Sequence, residues 1–280
     1  MRPLIPLTIV AALISGCSRE ASPTAAVETA TANATSAAMP QVSASASASA
    51  TATATANGGA SKIEQEDDVL EFSYAHPAEV GAIPALRARL EGERDAAQRK
   101  AHAAAAADRN SARKEGFPFH KHSLNLTWKV VTSTARFLSL SEELYFFTGG
   151  AHGNLGFKGL IWDKQAGREV PVLDMFTSKA ALKSAVLKPF CAGLEAARRA
   201  KGIVRPPEGD SVFPNCVDPV SQATVILGSS NRRAFDRIGF LMDPYVAGSF
   251  AEGSYEVTLP VTSAVLAAVR PAYRDAFALR

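Results

Sequence analysis

The sequence predicts an α+β fold with mostly antiparallel sheets, a long N-terminal helix and a middle helix. Three observations lead to this prediction. From about residue 62 onward, many short stretches alternate polar and apolar residues, as half-buried antiparallel strands do. Two longer stretches, 84–116 and 179–202, carry helix signals instead. These helices stand between blocks of consecutive strands, which is typical of α+β proteins.

The N-terminus has the features of a lipoprotein signal peptide over residues 1–16. Arg2 precedes an apolar stretch that is too short to span a bilayer as a helix. It ends in Ile14-Ser15-Gly16-Cys17, which resembles the bacterial lipobox. The resemblance implies cleavage before Cys17 and lipidation of its thiol, and a plain signal peptide with an incidental cysteine is the alternative. Since Ser18 rather than Asp follows, we expect a lipid anchor in the outer membrane, facing the periplasm of the cell envelope.

Residues 17–61 are predicted to be a disordered tether that begins at the lipidated Cys17. The segment consists mainly of Ala, Ser and Thr, with almost no charge and few large apolar side chains. Such a chain buries too little surface to offset the entropy of ordering it. Its alternation imitates the period of a strand, but these residues offer no core-forming side chains. We therefore expect it to hold a globular region, residues 62–280, near the membrane.

The composition of the globular region excludes some classes of protein and predicts a disulfide. The formal net charge of the whole chain is only +3, which is too small to indicate nucleic-acid binding. Apart from Cys17, the cysteines are Cys191 and Cys216. In an oxidising envelope compartment an isolated pair most simply forms a disulfide, and two buried free thiols are the alternative.

The first half of the globular region contains strands on either side of the long helix. Residues 69–76 alternate well enough for a strand. Pro84 then opens a helix that is rich in alanine, and Gly116 is placed to end it. Two alternating stretches follow, which we predict to be strands at 122–135 and 136–148.

The second half continues with strands, a helix and further strands. Residues 164–167 are predicted to form the turn of a hairpin between strands at 155–163 and 168–173. Thr177 or Ser178 can cap the middle helix, in which Pro189 should produce a kink or divide it in two. The remaining segments are predicted as strands at 223–228, 237–243 and 255–261, an irregular loop at 244–254 and a closing helix at 263–277.

Candidate site residues occur first around Gly149-Gly150-Ala151-His152. Paired glycines between two strands permit positive φ angles and a close backbone crossing. His152 could contact a ligand, bind a metal or hydrogen-bond its own turn. His120 and His122 would share one face if a strand begins there, and with His152 they could hold zinc. A solvated sheet face is the alternative.

Aromatic residues on the irregular loop form the second candidate site. Tyr245 and the nearby Phe250 offer the kind of aromatic surface that favours sugars and protein partners. The alternative is that Tyr245 fills the core beneath the loop. The sequence contains no nucleophile elbow, no phosphate-binding glycine loop and no His-Glu-x-x-His motif, so no catalytic residues and no cofactor are predicted.

Two stretches together resemble a known family. Residues 144–176, with "LYFFTGGAHGNLGFKGLIWD", are similar to the Tyr-x-Tyr-Thr-Gly-Gly-Ala-His signature of the RsiV-like and PdaC-like extracytoplasmic domains. Residues 238–269, with "MDPYVAG", resemble the C-terminal block of the same family. The resemblance implies two sequential subdomains, PdaC-like at 62–150 and RsiV-like at 151–280.

The family resemblance also implies a function. Such domains occur in an anti-sigma factor that binds lysozyme and in a peptidoglycan deacetylase. This sequence lacks the transmembrane helix of the first and the Thr-Phe-Asp-Asp metal motif of the second. We therefore expect a binding or sensing module for peptidoglycan fragments or a lysozyme-like protein, with Tyr245, His152, Gly149, Gly150 and Phe250 at its site. The alternative is a metal-dependent hydrolase of wall glycan that uses the three histidines.

Overall fold

The computed structural model describes residues 51–57, 59–206 and 212–280, and all of them belong to one compact unit that extends from Ser47 to Arg280. The predicted signal peptide, Cys17 and residues 18–50 of the predicted tether lie outside the described residues. The fold is α+β, as the sequence predicts. In the described residues it comprises a larger mixed sheet, a smaller antiparallel sheet and few helices.

The larger sheet contains strands in simple sequence order, β1 to β7. Neighbouring strands are antiparallel except for β3 and β4, which are parallel and are joined through the long helix. The strands are β1 (Thr51–Asn57), β2 (Ala60–Glu66), β3 (Leu70–His76), β4 (His122–Ser133), β5 (Phe137–Phe147), β6 (Asn154–Asp163) and β7 (Arg168–Glu169).

The helices α1 (Ala78–Gly81) and α2 (Pro84–Glu115) lie between β3 and β4. Pro84 occupies the first turn of α2, and Gly116 ends it in a left-handed conformation with φ 76°. The buried side chains of α2, Leu86, Leu90, Ala105 and Ala112, are widely spaced because most of the helix is polar or alanine. Of these, Leu86, Leu90 and Ala105 enclose the first hydrophobic core with alternate residues of β3, β4, β5 and β6.

The smaller sheet has the order β10-β9-β8 and packs against the helix α3 (Lys179–Ala200). Its strands are β8 (Thr224–Gly228), β9 (Arg237–Met242) and β10 (Tyr255–Pro260). The Ser178 side chain caps α3 by accepting a hydrogen bond from the backbone N–H of Ala181. The second core, between α3 and this sheet, also includes Phe137 and Ile161 from the larger sheet.

The two cores lie on opposite faces of the larger sheet, because Phe137 belongs to one and Leu138 to the other. The predicted subdomain boundary at residues 150 and 151 falls in the turn between β5 and β6, two paired strands of this sheet. The division into two sequential subdomains is therefore not confirmed.

Three local expectations differ from the structure. Residues 51–57 and 60–61, expected in the tether, belong to paired strands, because the backbone of β2 supplies hydrogen-bond partners that an isolated segment lacks. Pro189 lies inside an unbroken α3, so it does not divide the helix. The closing helix α4 covers only Ser263–Ala268, since Pro271 begins a separate 3₁₀ turn, Pro271–Ala276.

The predicted disulfide between Cys191 and Cys216 is confirmed, with Cα atoms 5.3 Å apart. Cys191 lies in α3 and Cys216 in the loop before β8, so the bond fastens this loop to the helix. Among the helices of the described residues, none is both long enough and apolar enough to cross a membrane.

Candidate functional site: an aromatic cluster at the β5–β6 turn

His152, Tyr245 and Phe250 come together at the surface, although more than 90 residues separate the first two in sequence. The His152 and Phe250 rings are stacked, with centroids 3.6 Å apart and planes 15° apart. The Tyr245 ring lies 5.7 Å from Phe250 and 6.3 Å from His152, centroid to centroid. We call these three residues the aromatic cluster.

The hydrogen bonds of His152 fix its orientation. Its Nδ1 lies 2.9 Å from the carbonyl oxygen of Gly153, so Nδ1 carries the proton and donates to its own turn. Its Nε2 then accepts from the Tyr245 hydroxyl at 3.2 Å. The expected bond to its own turn therefore exists, and the ring is also free to contact a ligand because it stands exposed at the surface.

The β5–β6 turn brings His152 to this place. Gly149 has φ 87°, which favours glycine, whereas Gly150 has open space around it and no positive φ. At Gly153 a Cβ atom would overlap the ring of Tyr145, which lies against the backbone there. Gly149 and Gly153 thus have physical reasons to be glycine, and Gly150 has none in the structure.

Tyr245 has an unusual backbone conformation. Its φ is 71°, a left-handed conformation that L residues with a Cβ adopt at a cost of about 1–2 kcal/mol. Its side chain is 53% exposed, so Tyr245 does not fill the core beneath the loop, as the alternative had it. A strained residue that holds a large side chain in solvent is an indication of function.

Asp243 joins the Tyr245 loop to the larger sheet. Its Oδ1 accepts a hydrogen bond from the backbone N–H of Phe157 on β6 at 3.1 Å. The Thr224 hydroxyl donates a hydrogen bond to the carbonyl oxygen of Phe157. Burial raises the pKa of Asp243, because this hydrogen bond only partly offsets the loss of solvent.

Glu252 fixes the other end of the loop. Its carboxylate accepts hydrogen bonds from the Ser249 backbone N–H, the Tyr255 hydroxyl at 2.6 Å and Arg205 at 2.7 Å. Burial alone would raise the pKa of Glu252, but the bonds from Tyr255 and Ser249 and the charge of Arg205 lower it. Burial, together with the bond to Glu252, raises the pKa of Tyr255 to about 12.

Arg198 of α3 supports the same loop from below. It is fully buried and donates to the carbonyl oxygens of Ala247 at 2.7 Å and Pro214 at 3.1 Å, as well as to that of Asn215. Its guanidinium therefore ties the loop that carries Tyr245 to the loop that contains Cys216. Sequence reasoning missed Arg198 and Glu252 and did not foresee the supporting role of Asp243, because their partners are 16 to 86 residues away or lie in irregular segments.

The three histidines proposed for zinc do not form a site. His122 is buried, and its Nε2 lies 3.2 Å from Asp108 of α2, while its ring stacks on Phe119. His120 precedes the strand and is exposed. In the part of the chain that the structure describes, no three His, Cys, Asp or Glu side chains are grouped to hold a metal ion.

Part of the chain is similar to a known family. Residues 63–155 match the family model described as Deacetylase PdaC. The matched segment begins in β2 and ends just inside β6, so it includes the β5–β6 turn with Gly149, Gly150 and His152. Tyr245 and Phe250 lie outside it.

Two solved structures are similar to a larger part of the chain. A DUF3298 family protein from Pseudomonas aeruginosa PAO1 has 17% identity and a TM-score of 0.46, covering 83% of this chain and 98% of that one. A DUF3298 family member from Bacteroides fragilis NCTC 9343 has 13% identity and a TM-score of 0.46, covering 76% and 90%. None of the curated proteins matches this chain.

Proposed function

We propose that the chain is a lipid-anchored envelope protein whose globular unit binds peptidoglycan fragments or a wall-acting protein such as lysozyme. The aromatic cluster is the proposed binding site. The observation that carries the proposal is Tyr245, which keeps a left-handed backbone and an outward-facing ring. The lipid anchor at Cys17 and the periplasmic face of the outer membrane rest on the sequence resemblance alone.

The geometry of the cluster suits recognition better than it suits packing. The Phe250 ring, the His152 ring and the Tyr245 ring support one another, so little side-chain freedom remains to be lost when a ligand binds. Aromatic rings with one polar edge contact both apolar and polar ligand groups. The Tyr245 hydroxyl and the His152 ring supply such polar groups beside the exposed ring surface.

The loop that carries Tyr245 is itself fixed in position by hydrogen bonds. Arg198 holds the loop through a buried hydrogen bond and Glu252 through a partly buried one, and Asp243 holds it to β6. A loop positioned on a rigid scaffold is the usual location of binding residues. The metal-dependent hydrolase suggested by the three histidines has no observation in its favour, and we do not carry it forward.

The test is binding of the chain without residues 1–17 to insoluble peptidoglycan and, separately, to lysozyme. Tyr245→Ala should weaken binding to the true ligand about 10- to 30-fold, as truncation of a central tyrosine does at other interfaces. Leu279→Ala is the matched control, because Leu279 is also a large exposed side chain, at 59% exposure, but lies near the C-terminus.

Binding to peptidoglycan and binding to lysozyme distinguish a site for the cell wall from a site for a protein partner. Sedimentation with peptidoglycan that is lost in Tyr245→Ala and kept in Leu279→Ala supports recognition of the wall. Calorimetric binding of lysozyme with the same pattern supports a protein partner. If neither ligand binds, or if Tyr245→Ala binds as well as the natural chain, the proposed site is wrong.

A further inference from the structure

A small pocket of about 150 Å³ lies between α2 and the larger sheet, and it shares no residue with the aromatic cluster. Its walls are mostly apolar, formed by Leu90 of α2 and by Leu124, Leu126, Trp128 and Leu144 of the sheet. A volume of this size has room for a compact organic group rather than a single water molecule. Two buried polar side chains, Tyr74 and Glu142, interrupt the apolar lining.

Tyr74 contributes a hydroxyl group without a partner. Its side chain is only 1% exposed, and its hydroxyl makes no hydrogen bond among the described residues. Leaving a buried polar group unpaired costs free energy, so such a group in a pocket wall indicates a missing partner. Burial raises the pKa of Tyr74 above its usual range, so the hydroxyl keeps its proton and remains a donor.

Glu142 contributes acceptor capacity beside it. Its side chain is almost fully buried, and Lys158 Nζ lies 2.9 Å from its Oε2. A carboxylate has about four lone-pair positions, and Lys158 is its only described partner. The pocket therefore offers one free donor and one partly free acceptor within apolar walls.

The charges around the pocket balance. Arg94 and Lys158 are positive, and Glu93 and Glu142 are negative. Either ionic group on a ligand would be attracted by one pair and repelled by the other, so the lining favours neither sign of charge. A neutral ligand avoids the cost of burying a further charge and leaves the existing ion pair of Glu142 in place.

We propose that this pocket binds a small neutral molecule that has a compact apolar body and a carboxamide group. The Tyr74 hydroxyl donates to the amide carbonyl, and an amide N–H donates to Glu142. An amide supplies an acceptor and a donor together, which is the complement of the two side chains. The apolar body takes the place between Trp128 and the leucines.

The experiment compares benzamide with acetophenone, which has nearly the same shape but a methyl group in place of the NH₂. Calorimetry or ligand-detected NMR with the chain lacking residues 1–17 should show benzamide binding at least about tenfold more tightly, the value of one hydrogen bond to a charged group. Tyr74→Phe should weaken the binding of both probes about five- to tenfold, since both need the hydroxyl for their carbonyl. This variant removes only the unpaired hydroxyl and should leave the unfolding temperature unchanged or higher.

A second variant tests the location. Ala97 of α2 lines the pocket and is partly buried, so Ala97→Leu should fill the space and abolish binding of both probes. Three results would each overturn the inference: no binding of benzamide at 10 mM or below, about the concentration a weak fragment needs; equal binding by Tyr74→Phe; or full binding by Ala97→Leu.

Discussion

The left-handed backbone of Tyr245 allows a direct test of whether its conformation is strained. The change is Tyr245→Gly, compared with Tyr245→Ala. Both variants lose the ring and its contacts with His152 and Phe250, so these losses cancel between them. What differs is the Cβ at φ 71°, which costs alanine about 1–2 kcal/mol and glycine nothing.

The greater freedom of glycine in the unfolded chain offsets about 0.4–1 kcal/mol of this gain. We therefore expect Tyr245→Gly to be more stable than Tyr245→Ala by about 0.5–1 kcal/mol. In a domain of this size that corresponds to roughly 1–4 °C in the unfolding temperature. Thermal unfolding followed by circular dichroism measures it. If Tyr245→Ala unfolds at the same or a higher temperature, the backbone is not held in the left-handed region and the strain argument for the site fails.

Three other predictions concern contacts between α3 and the loop before β8. Replacing both Cys191 and Cys216 by alanine should lower the free energy of unfolding by about 3 kcal/mol, as measured by urea titration. The reason is that the disulfide, which joins residues 25 positions apart, no longer restricts the unfolded chain. Arg198→Leu should cost about 3 kcal/mol, since it leaves the carbonyls of Pro214 and Asn215 without the guanidinium that donates to them; a variant as stable as the natural chain in thermal unfolding would contradict this role. Lys183 of α3 forms an ion pair with Asp218 in the loop before β8. The hydrogen bond from Lys183 lowers the pKa of Asp218 by more than burial raises it, so this pKa is about 2 in the folded chain, against an ordinary value of 3.8. The stabilisation from this ion pair is present above about pH 4 and is lost as the pH falls toward 2. The free energy of unfolding from urea titrations should therefore fall between pH 5 and pH 2.5 by roughly 1 kcal/mol less in Asp218→Asn than in the natural chain.

The parts of the fold that local signals determine were predictable. Pro84 marks the start of α2 and Gly116 marks its end, because their backbone preferences act within one turn of the helix. Alternation of polar and apolar residues located the strands from β3 to β6, since each of them buries one face under a helix or sheet. The disulfide followed from the number of cysteines and the expected compartment.

Other parts depend on partners that are distant in the sequence. Residues 51–57 alternate with the period of a strand but offer no core-forming side chains, so β1 depends on pairing with β2. At the candidate site, the sequence pointed to His152 in one segment and to Tyr245 with Phe250 in another, and folding brings them together. The unpaired hydroxyl of Tyr74 could not be foreseen at all, since position 74 fits the apolar face of a strand equally well.

The division of neighbouring residues between two cores has a consequence for how the molecule unfolds. In β5, Phe137 packs on the α3 side and Leu138 on the α2 side, and Ile161 and Trp162 divide in the same way in β6. Neither core can lose β5 or β6 without exposing the apolar surface of the other. Melting that begins at the long, lightly packed α2 therefore reaches the scaffold of the Tyr245 loop, and we expect one cooperative transition rather than two.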